Sequence, residues 1–417
     1  MKYRTWTTMK RDQGWTTPLW RTLLVAFMAM GLMAPAQAGD REQAKVIHDR
    51  LAGVPPTDAV LTQMENVIAT NGTDPLCPGG VTGANCAAFI AMDNVNFYNV
   101  TLKNFAAPWT NREQSVFVPL NDYIATVIGM IRDDVPFNTL LSANLTYVGN
   151  NGVVPSAPSA ANNDHYAQLE ANNINLRDQL TSTTQSSLMG IPPSATAGII
   201  TSRAAAEAFF VAGTNRAMFR FTLMNHMCND MEQVHDLKLS PDRIRQDVSR
   251  SPGGDSRLFL NNCIGCHTGM DPMAQAFAYY NYNEVTGRLE YTASGPGPGG
   301  TVQPKYFNND LNFPQGFRTP DDEWTNYWRN GQNAYLGFSQ SLPGTGYGAK
   351  SLGEELANSE AFAACQVRKV FKAVCLRDPE DATDRSMVNQ LTTDFMTTLG
   401  YRMKDVFAQT AVHCMGQ

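Results

Sequence analysis

The chain has 417 residues, of which 43% are hydrophobic and 17% charged, with 32 Lys and Arg against 38 Asp and Glu. This length and apolar content indicate a globular protein of two or three packed regions. The acidic balance argues against nucleic acid as a partner.

Residues 1–38 have the pattern of a secretory signal peptide. An apolar run over residues 23–33 follows a basic segment and precedes the small-residue site Ala36-Gln37-Ala38. We predict cleavage after Ala38 and a periplasmic or secreted protein; an uncleaved membrane anchor is the alternative. The segment holds five basic residues and one acidic residue, so the mature chain carries 27 basic and 37 acidic residues, a net charge of −10. No later apolar run is long enough to span a membrane.

Helical patterns dominate the rest of the chain, and strand signals are few. Pro55-Pro56 separate two short helices, the second of which is capped at Thr57. The predicted helical segments are, in chain order, 39–70, 110–147, the long pattern 202–239, a helix starting at 319–323, and three helices between 354 and 413. The sequence therefore predicts a mainly α fold.

Six of the eight cysteines are candidates for disulfides, since the other two belong to the motif described next. An even number in an oxidising compartment predicts up to three bonds. Cys77 and Cys86 flank a short Pro-Gly-Gly loop and are the easiest pair to close. Cys365 and Cys375 lie about 15 Å apart on one predicted helix and cannot bond to each other. An up-down-up helical tail brings Cys375 near Cys414 and leaves Cys228 for Cys365, although six cysteines allow about 15 connectivities.

The most specific motif is Cys263-Ile264-Gly265-Cys266-His267. Two thiols three residues apart on a helical turn face the same way, and each can capture one vinyl group of a haem while the adjacent histidine reaches the iron. A zinc site needs a second pair of ligands nearby, and none follows in the sequence. The motif predicts one covalent haem c, held by Cys263 and Cys266, with His267 as the proximal iron ligand.

The second axial ligand is open on the sequence alone. Met270 and Met273 follow the motif too closely to pass round the haem edge, since three residues reach only about 10 Å. His226, upstream on a Met-rich helix, is the favoured distal ligand, although such a histidine is commonly a hydrogen-bonded core residue. Its rivals are Met224, Met227 and His235. A distal side open to a small molecule is the remaining alternative.

Three short stretches follow the motif: Met270-Asp271-Pro272-Met273, Ala276-Phe277-Ala278 and Gly287-Arg288. Together with the motif they resemble the haem region of the planctomycete-type cytochrome c family. Similar segments precede the motif, at 133–137 and at 198–201 with Arg216, and the tail from 362 to 371 is similar to that family's C-terminal helical domain. The resemblance implies a haem c and this architecture, but these family domains are largely of unknown function.

The chain also departs from that family's pattern. The usual proline-rich stretch before the haem is replaced by residues 224–236, and Asn281 stands where the family tends to have Asp. The cysteines at 228, 375 and 414 are additional. The expected organisation is a signal peptide at 1–38, then an N-terminal helical region at 39–201, a cytochrome c-like haem-binding region at 202–300, a connecting region at 301–350 and a C-terminal helical domain at 351–417.

The leading hypothesis is an exported monohaem c-type cytochrome that passes single electrons to an unidentified redox partner protein. The alternatives are a haem enzyme or sensor with an open distal site, for example peroxidase-like, and a subunit of a larger extracytoplasmic oxidoreductase complex. A further possibility is a groove lined by the aromatic clusters 279–282 and 324–328. The sequence favours electron transfer over catalysis and leaves potential, partner and oligomeric state open.

Overall fold

A computed structural model describes residues 39–211, 213–251 and 254–416. The predicted signal peptide lies outside these residues. The helices are α1 Asp40–Ala52, α2 Asp58–Thr70, α3 Gly83–Met92, α4 Lys103–Ala106, α5 Asp122–Arg132, α6 Asp164–Ala171, α7 Leu176–Gln179, α8 Gln185–Met189, α9 Arg203–Phe209, α10 Arg216–Met227, α11 Ser256–Asn262, α12 Ile264–Ala274, α13 Gly348–Ala357, α14 Glu360–Cys375, α15 Ala382–Met396 and α16 Met403–His413. A π-helical turn, Phe97–Leu102, precedes α4.

The strands form three antiparallel pairs, each of two strands. Their bounds are β1 Thr146–Gly149 with β2 Leu180–Thr183, β3 Tyr280–Asn283 with β4 Arg288–Tyr291, and β5 Glu323–Thr325 with β6 Thr345–Tyr347. Helices account for far more of the described residues than strands do, so the predicted mainly α class is confirmed.

The first two helices follow the local sequence signals. Pro55-Pro56 lie between α1 and α2, and the Thr57 side chain accepts a hydrogen bond from the Val60 N–H at the start of α2. Asn71, in the left-handed region, ends α2. A cap at one end and a left-handed residue at the other therefore set the bounds of α2 through local sequence.

One hydrophobic core runs through most of the described chain, from Ala44 to Ala411. The last helix, α16, packs on α3 and α1 near the start of the described chain. The Phe407 ring lies 5.2 Å from that of Phe97 and 5.4 Å from that of Phe105, both edge-on. Edge-to-face aromatic pairs of this kind stabilise the packing beyond the area they bury.

The long helix predicted over residues 202–239 is wrong, because the structure has two helices, α9 and α10, in its place. Asn215, in the left-handed region, stands between them, and Cys228 ends α10 in the same conformation. Asn215 is fully buried, and its side-chain amide donates to the carbonyls of Phe277 and Tyr280. These tertiary bonds and the bond from Cys228 to Cys365 override the local helical pattern.

The helix start predicted at 319–323 is also wrong, because residues 323–325 form strand β5. The buried Asp322 side chain caps no helix; it accepts a hydrogen bond from the Gly297 N–H at 2.8 Å. Its second carboxylate oxygen is buried with no hydrogen-bond partner. Burial raises the pKa of Asp322 to about 7, and Asp321 adds to the rise.

Asp322 makes folding stability depend on pH. Its pKa is raised above the ordinary value of 3.8, so its contribution to stability is fully present below that pH and is lost as the pH rises through about 7. We expect the free energy of unfolding of the wild type to fall by about 4 kcal/mol between about pH 4 and about pH 8 because of this group, and Asp322→Asn to remove that fall. Urea unfolding at several pH values measures this slope. Glu284→Gln is the control, since Glu284 is exposed and has no described contact with Asp322, and an unchanged slope in Asp322→Asn contradicts the assignment.

The three disulfides join the pairs expected from the sequence. Cα atoms are 5.3 Å apart in Cys77–Cys86, 5.2 Å in Cys228–Cys365 and 5.5 Å in Cys375–Cys414. The second bond ties the end of α10 to α14, and the third ties the end of α14 to the end of α16. The predicted pairings are therefore confirmed.

The three helices predicted in the tail are α14, α15 and α16. Asp381 caps α15 by accepting a hydrogen bond from the Asp384 N–H. Asp384 bonds to Arg377 and His413, which link α15 to its neighbours. None of the helices in the described ranges combines the length and apolar character needed to cross a membrane.

Ser359 caps α14 from a buried position. Its hydroxyl oxygen accepts a hydrogen bond from the Phe362 N–H at 3.1 Å and donates to the Leu356 carbonyl at 2.7 Å. We expect Ser359→Ala to lower the free energy of unfolding by about 1 kcal/mol, as measured by urea titration. Ser359→Thr, which keeps the hydroxyl, is the control. If both variants lose the same free energy of unfolding, the loss comes from changed packing around residue 359 and not from the cap.

Candidate functional site

Helix α12 begins at the Cys-x-x-Cys-His motif. Cys263 is its N-cap residue, and the Cys263 carbonyl accepts hydrogen bonds from the N–H groups of Cys266 and His267, both at 3.2 Å. The side chains of these three residues therefore lie along one side of the first turn. Both thiols are free and partly exposed, whereas the other six described cysteines are in disulfides.

Two glycines allow neighbouring side chains to pack closely against α12. A Cβ atom at Gly265 would lie 2.3 Å from Nε2 of His235, and one at Gly269 would lie 2.1 Å from Nε1 of Trp328. The Asp236 N–H also donates to the Gly265 carbonyl at 3.0 Å. Gly265 is roughly 160° round the helix from Cys263 and His267. His235, a rival for distal ligand, therefore lies behind the helix, away from these two side chains.

Asp271, one turn after His267, fixes the orientation of the imidazole. Nδ1 of His267 lies 3.1 Å and 3.2 Å from the two Asp271 carboxylate oxygens. Nε and Nη2 of Arg216, on α10, donate to the same two oxygens at 2.8 Å and 3.2 Å. Asp271 is fully buried, so this carboxylate has both of its partners in the protein interior.

The carboxylate of Asp271 is held in its ionised form. Burial alone would raise the pKa of Asp271, but Arg216 and His267 outweigh burial and hold the pKa of this carboxyl far below its usual range. An ionised carboxylate can only accept hydrogen bonds, so Nδ1 of His267 carries the proton. Nε2 of His267 is then the nitrogen whose lone pair is free for a ligand or metal.

Arg216 is shared with a second carboxylate. Its Nη1 donates to Asp247 at 2.9 Å, and Nε of Arg245 donates to the same Asp247 at 3.2 Å. The buried guanidinium of Arg245 and the partly buried guanidinium of Arg216 therefore balance two buried carboxylates beside His267. Of these residues the sequence marked only Arg216 and Asp271, and both by resemblance; the four-residue spacing of Asp271 from His267 was an independent signal for their contact.

A small apolar cluster borders the motif. It consists of Ile244, Val248 and Phe259, with Cys263 and Ile264 packed against it. The Phe259 ring centroid lies 5.9 Å from that of His267. On the same helix, α11, Leu258 and Leu260 are 46% and 47% exposed, which leaves apolar surface next to the two thiols.

His226, the favoured distal ligand, lies in a different cluster. It is buried, and its Nε2 is 2.8 Å from the hydroxyl oxygen of Tyr123. Its ring is 5.3 Å from the ring of Trp109 and 6.4 Å from that of Phe362. Burial and the nearby Lys369 lower the pKa of His226, so the ring is neutral.

The described contacts of His226 include none with the Cys-x-x-Cys-His motif. Coordination through Nε2 would also break the hydrogen bond to Tyr123. The rival Met227 is buried in the main core, and Met224 packs against that core. None of these observations supports a distal ligand from α10, and the assignment of His226 stays a prediction.

His165 and the aromatic clusters noted in the sequence have structural explanations. Both ring nitrogens of His165 are hydrogen-bonded, Nδ1 to the Ser156 carbonyl and Nε2 to the Gly149 N–H. The aromatic side chains proposed to line a groove are mostly buried: Tyr279, Tyr280, Tyr282, Trp324 and Trp328. They form core and not an open binding surface.

Within residues 39–211, 213–251 and 254–416, no group of three or more His, Cys, Asp or Glu side chains is arranged to hold a metal ion. A haem brings four nitrogen ligands of its own and takes one imidazole from the protein, so such a group is not what it requires. Comparisons of the chain with protein-family models, with curated proteins and with solved structures found no match.

Proposed function

We propose that this protein is an exported monohaem c-type cytochrome that transfers single electrons outside the cytoplasm. The observation that carries the proposal is the pair of free thiols and the free imidazole nitrogen on one turn of α12. Every other described cysteine is oxidised. Thiols in an oxidising compartment usually form disulfides, and covalent attachment of a haem would explain why these two do not.

The residues of this turn fit the group. Cys263 and Cys266 would hold the haem through thioether bonds, and Nε2 of His267 would bind its iron. The bound haem would supply a centre that takes up and releases one electron. Asp271 keeps the proton on Nδ1 of His267, so that Nε2 stays available as a ligand.

Two further observations support the setting. Three disulfides are typical of proteins in an oxidising compartment. The resemblance of residues 263–288 to the planctomycete-type cytochrome c family points to the same cofactor. The net charge of −10 on residues 39–417 favours a redox partner with a basic docking surface.

Covalent attachment is tested by producing the full chain with a c-type cytochrome maturation system. We expect the wild-type band to stain for haem after denaturing electrophoresis, and the Cys263→Ala/Cys266→Ala variant to lose the stain completely. Cys77→Ala/Cys86→Ala is the matched control, since it also removes two cysteines and should keep the stain. A wild-type protein that folds, by circular dichroism, but never carries haem contradicts the proposal.

A second candidate function is a haem enzyme or sensor with an open distal site. It is favoured by the hydrogen bond that already occupies Nε2 of His226. Optical spectra of the haem-loaded wild type and of His226→Ala separate the two functions. A low-spin wild type that becomes high-spin in the variant identifies His226 as a ligand and favours electron transfer. A high-spin wild type that shifts on adding cyanide favours the open site.

A further inference from the structure

We propose that Asp271 is a positioning residue that sets the redox potential of the haem through its hydrogen bond to His267, with Arg216 moderating its strength. This inference rests on the proposed function. It concerns a residue that touches neither the thiols nor the free nitrogen of His267, and that acts only through the imidazole.

The geometry singles out Asp271 among the buried carboxylates. It is one turn beyond His267 on the same helix, and Nδ1 of the imidazole lies within 3.2 Å of both its oxygens. A hydrogen bond from Nδ1 to a neutral carbonyl would orient the ring equally well. A full negative charge does more, because it draws the Nδ1 proton towards the carboxylate and makes Nε2 a stronger electron donor.

A stronger donor favours the oxidised form of the bound iron, which carries one more positive charge than the reduced form. The carboxylate of Asp271 therefore lowers the potential of the haem relative to a neutral acceptor at the same place. Burial strengthens this effect, since Asp271 is fully buried and its charge acts in a surrounding of low dielectric constant.

Arg216 limits the effect of Asp271. Its guanidinium binds both oxygens of the carboxylate, so part of the negative charge is directed away from His267. The same guanidinium also binds Asp247, which shares the positive charge between two carboxylates. The acceptor strength felt by His267 is therefore set by a balance of charges spread over α10, α12 and the segment that holds Asp247.

A merely structural role is the competing explanation, since Asp271 and Arg216 also join α12 to α10. Asp247 offers a matched control. It is bound to the same guanidinium and has almost the same burial, but it has no described contact with His267. Asp271→Asn and Asp247→Asn each remove one negative charge from the same network, and only the first changes the partner of the imidazole.

The test is an optical redox titration of the haem-loaded wild type and of both variants. In Asp271→Asn we expect the ratio of reduced to oxidised haem at a fixed poise to rise about tenfold, which for a one-electron couple is a shift of about +59 mV. In Asp247→Asn we expect a rise of less than about threefold. Equal shifts in the two variants, or no shift in Asp271→Asn, overturn the inference.

Two additional measurements keep the outcome decisive. Side-chain nitrogen NMR of the haem-free protein should show a protonated Nδ1 at His267, and an unprotonated Nδ1 overturns the inference whether or not haem attaches. Failure of haem attachment in the wild type, in contrast, contradicts the proposed function. If Asp271→Asn does not fold, Asp271→Glu replaces it, because it keeps a charge for Arg216 and displaces the acceptor; an unchanged potential there also overturns the inference.

Discussion

Replacing Arg216 with methionine is expected to lower the free energy of unfolding by about 3–5 kcal/mol, the largest single loss that we predict for this chain. Arg216 is the shared partner of Asp247 and Asp271, whose side chains are 5% and 0% exposed. Methionine fills much of the same volume but leaves both carboxylates without this cation. The penalty comes mainly from charges that remain buried and uncompensated, and less from the bonds lost.

Arg220→Met is the matched control, since it lies one turn along α10. Its ion pair with Asp230 is largely open to solvent, and such pairs contribute at most about 1 kcal/mol. Urea unfolding of the two variants beside the wild type gives the comparison. If Arg216→Met and Arg220→Met lose similar amounts of stability, the buried network is not what holds α10 to α12.

Gly269→Ala is expected to lower the free energy of unfolding by about 1–3 kcal/mol, because it overfills a tight contact. The new Cβ would lie 2.1 Å from Nε1 of Trp328, 2.5 Å from Cε2 and 2.8 Å from Cζ2. Trp328 is fully buried, and its ring cannot move without displacing the Phe219 ring, 5.8 Å away. The turn of α12 that follows the motif would be forced away from its support on Trp328.

Gly79→Ala is the control for this prediction. Its Cβ would meet no atom within 4 Å, and its backbone is not in the left-handed region. We expect a change of less than about 0.5 kcal/mol, as for most surface substitutions. Thermal unfolding followed by circular dichroism measures both variants. A Gly269→Ala variant as stable as the wild type would mean that the contact with Trp328 is looser than these distances indicate.

The sequence predicted the parts of the fold that are determined by neighbouring residues. Thr57 and the prolines before it specify α2 within a few positions, and the structure agrees. Predictions failed where a distant partner decided the outcome. Asp322 had the pattern of an acidic residue in the first turn of a helix. Its carboxylate instead accepts a hydrogen bond from the N–H of Gly297, 25 residues earlier in the chain. Asn215 interrupts a continuous helical pattern because its side-chain amide donates hydrogen bonds to the carbonyls of residues 277 and 280.

The candidate site divides in the same way. The thiols and imidazole of α12 are recognisable because their chemistry needs a fixed local spacing. The contact between Asp271 and His267 is also local, but Arg216 joins them only because α10 packs across α12. The position of His226 could not be foreseen, since Trp109, Tyr123 and Phe362 come from three separate segments. No regular spacing of residues in the sequence predicts that these side chains lie together.

The contact of α16 with the first helices has a consequence for how the protein is made. Translation delivers Phe97 about 300 residues before Phe407, its ring partner. The apolar face of the N-terminal helices is therefore covered only after a segment about 300 residues later has been made, and this long sequence separation makes its closure slow. Nascent chains interrupted before residue 403 should present this face to chaperones and proteases, whereas chains that include residues 403–413 should bury it.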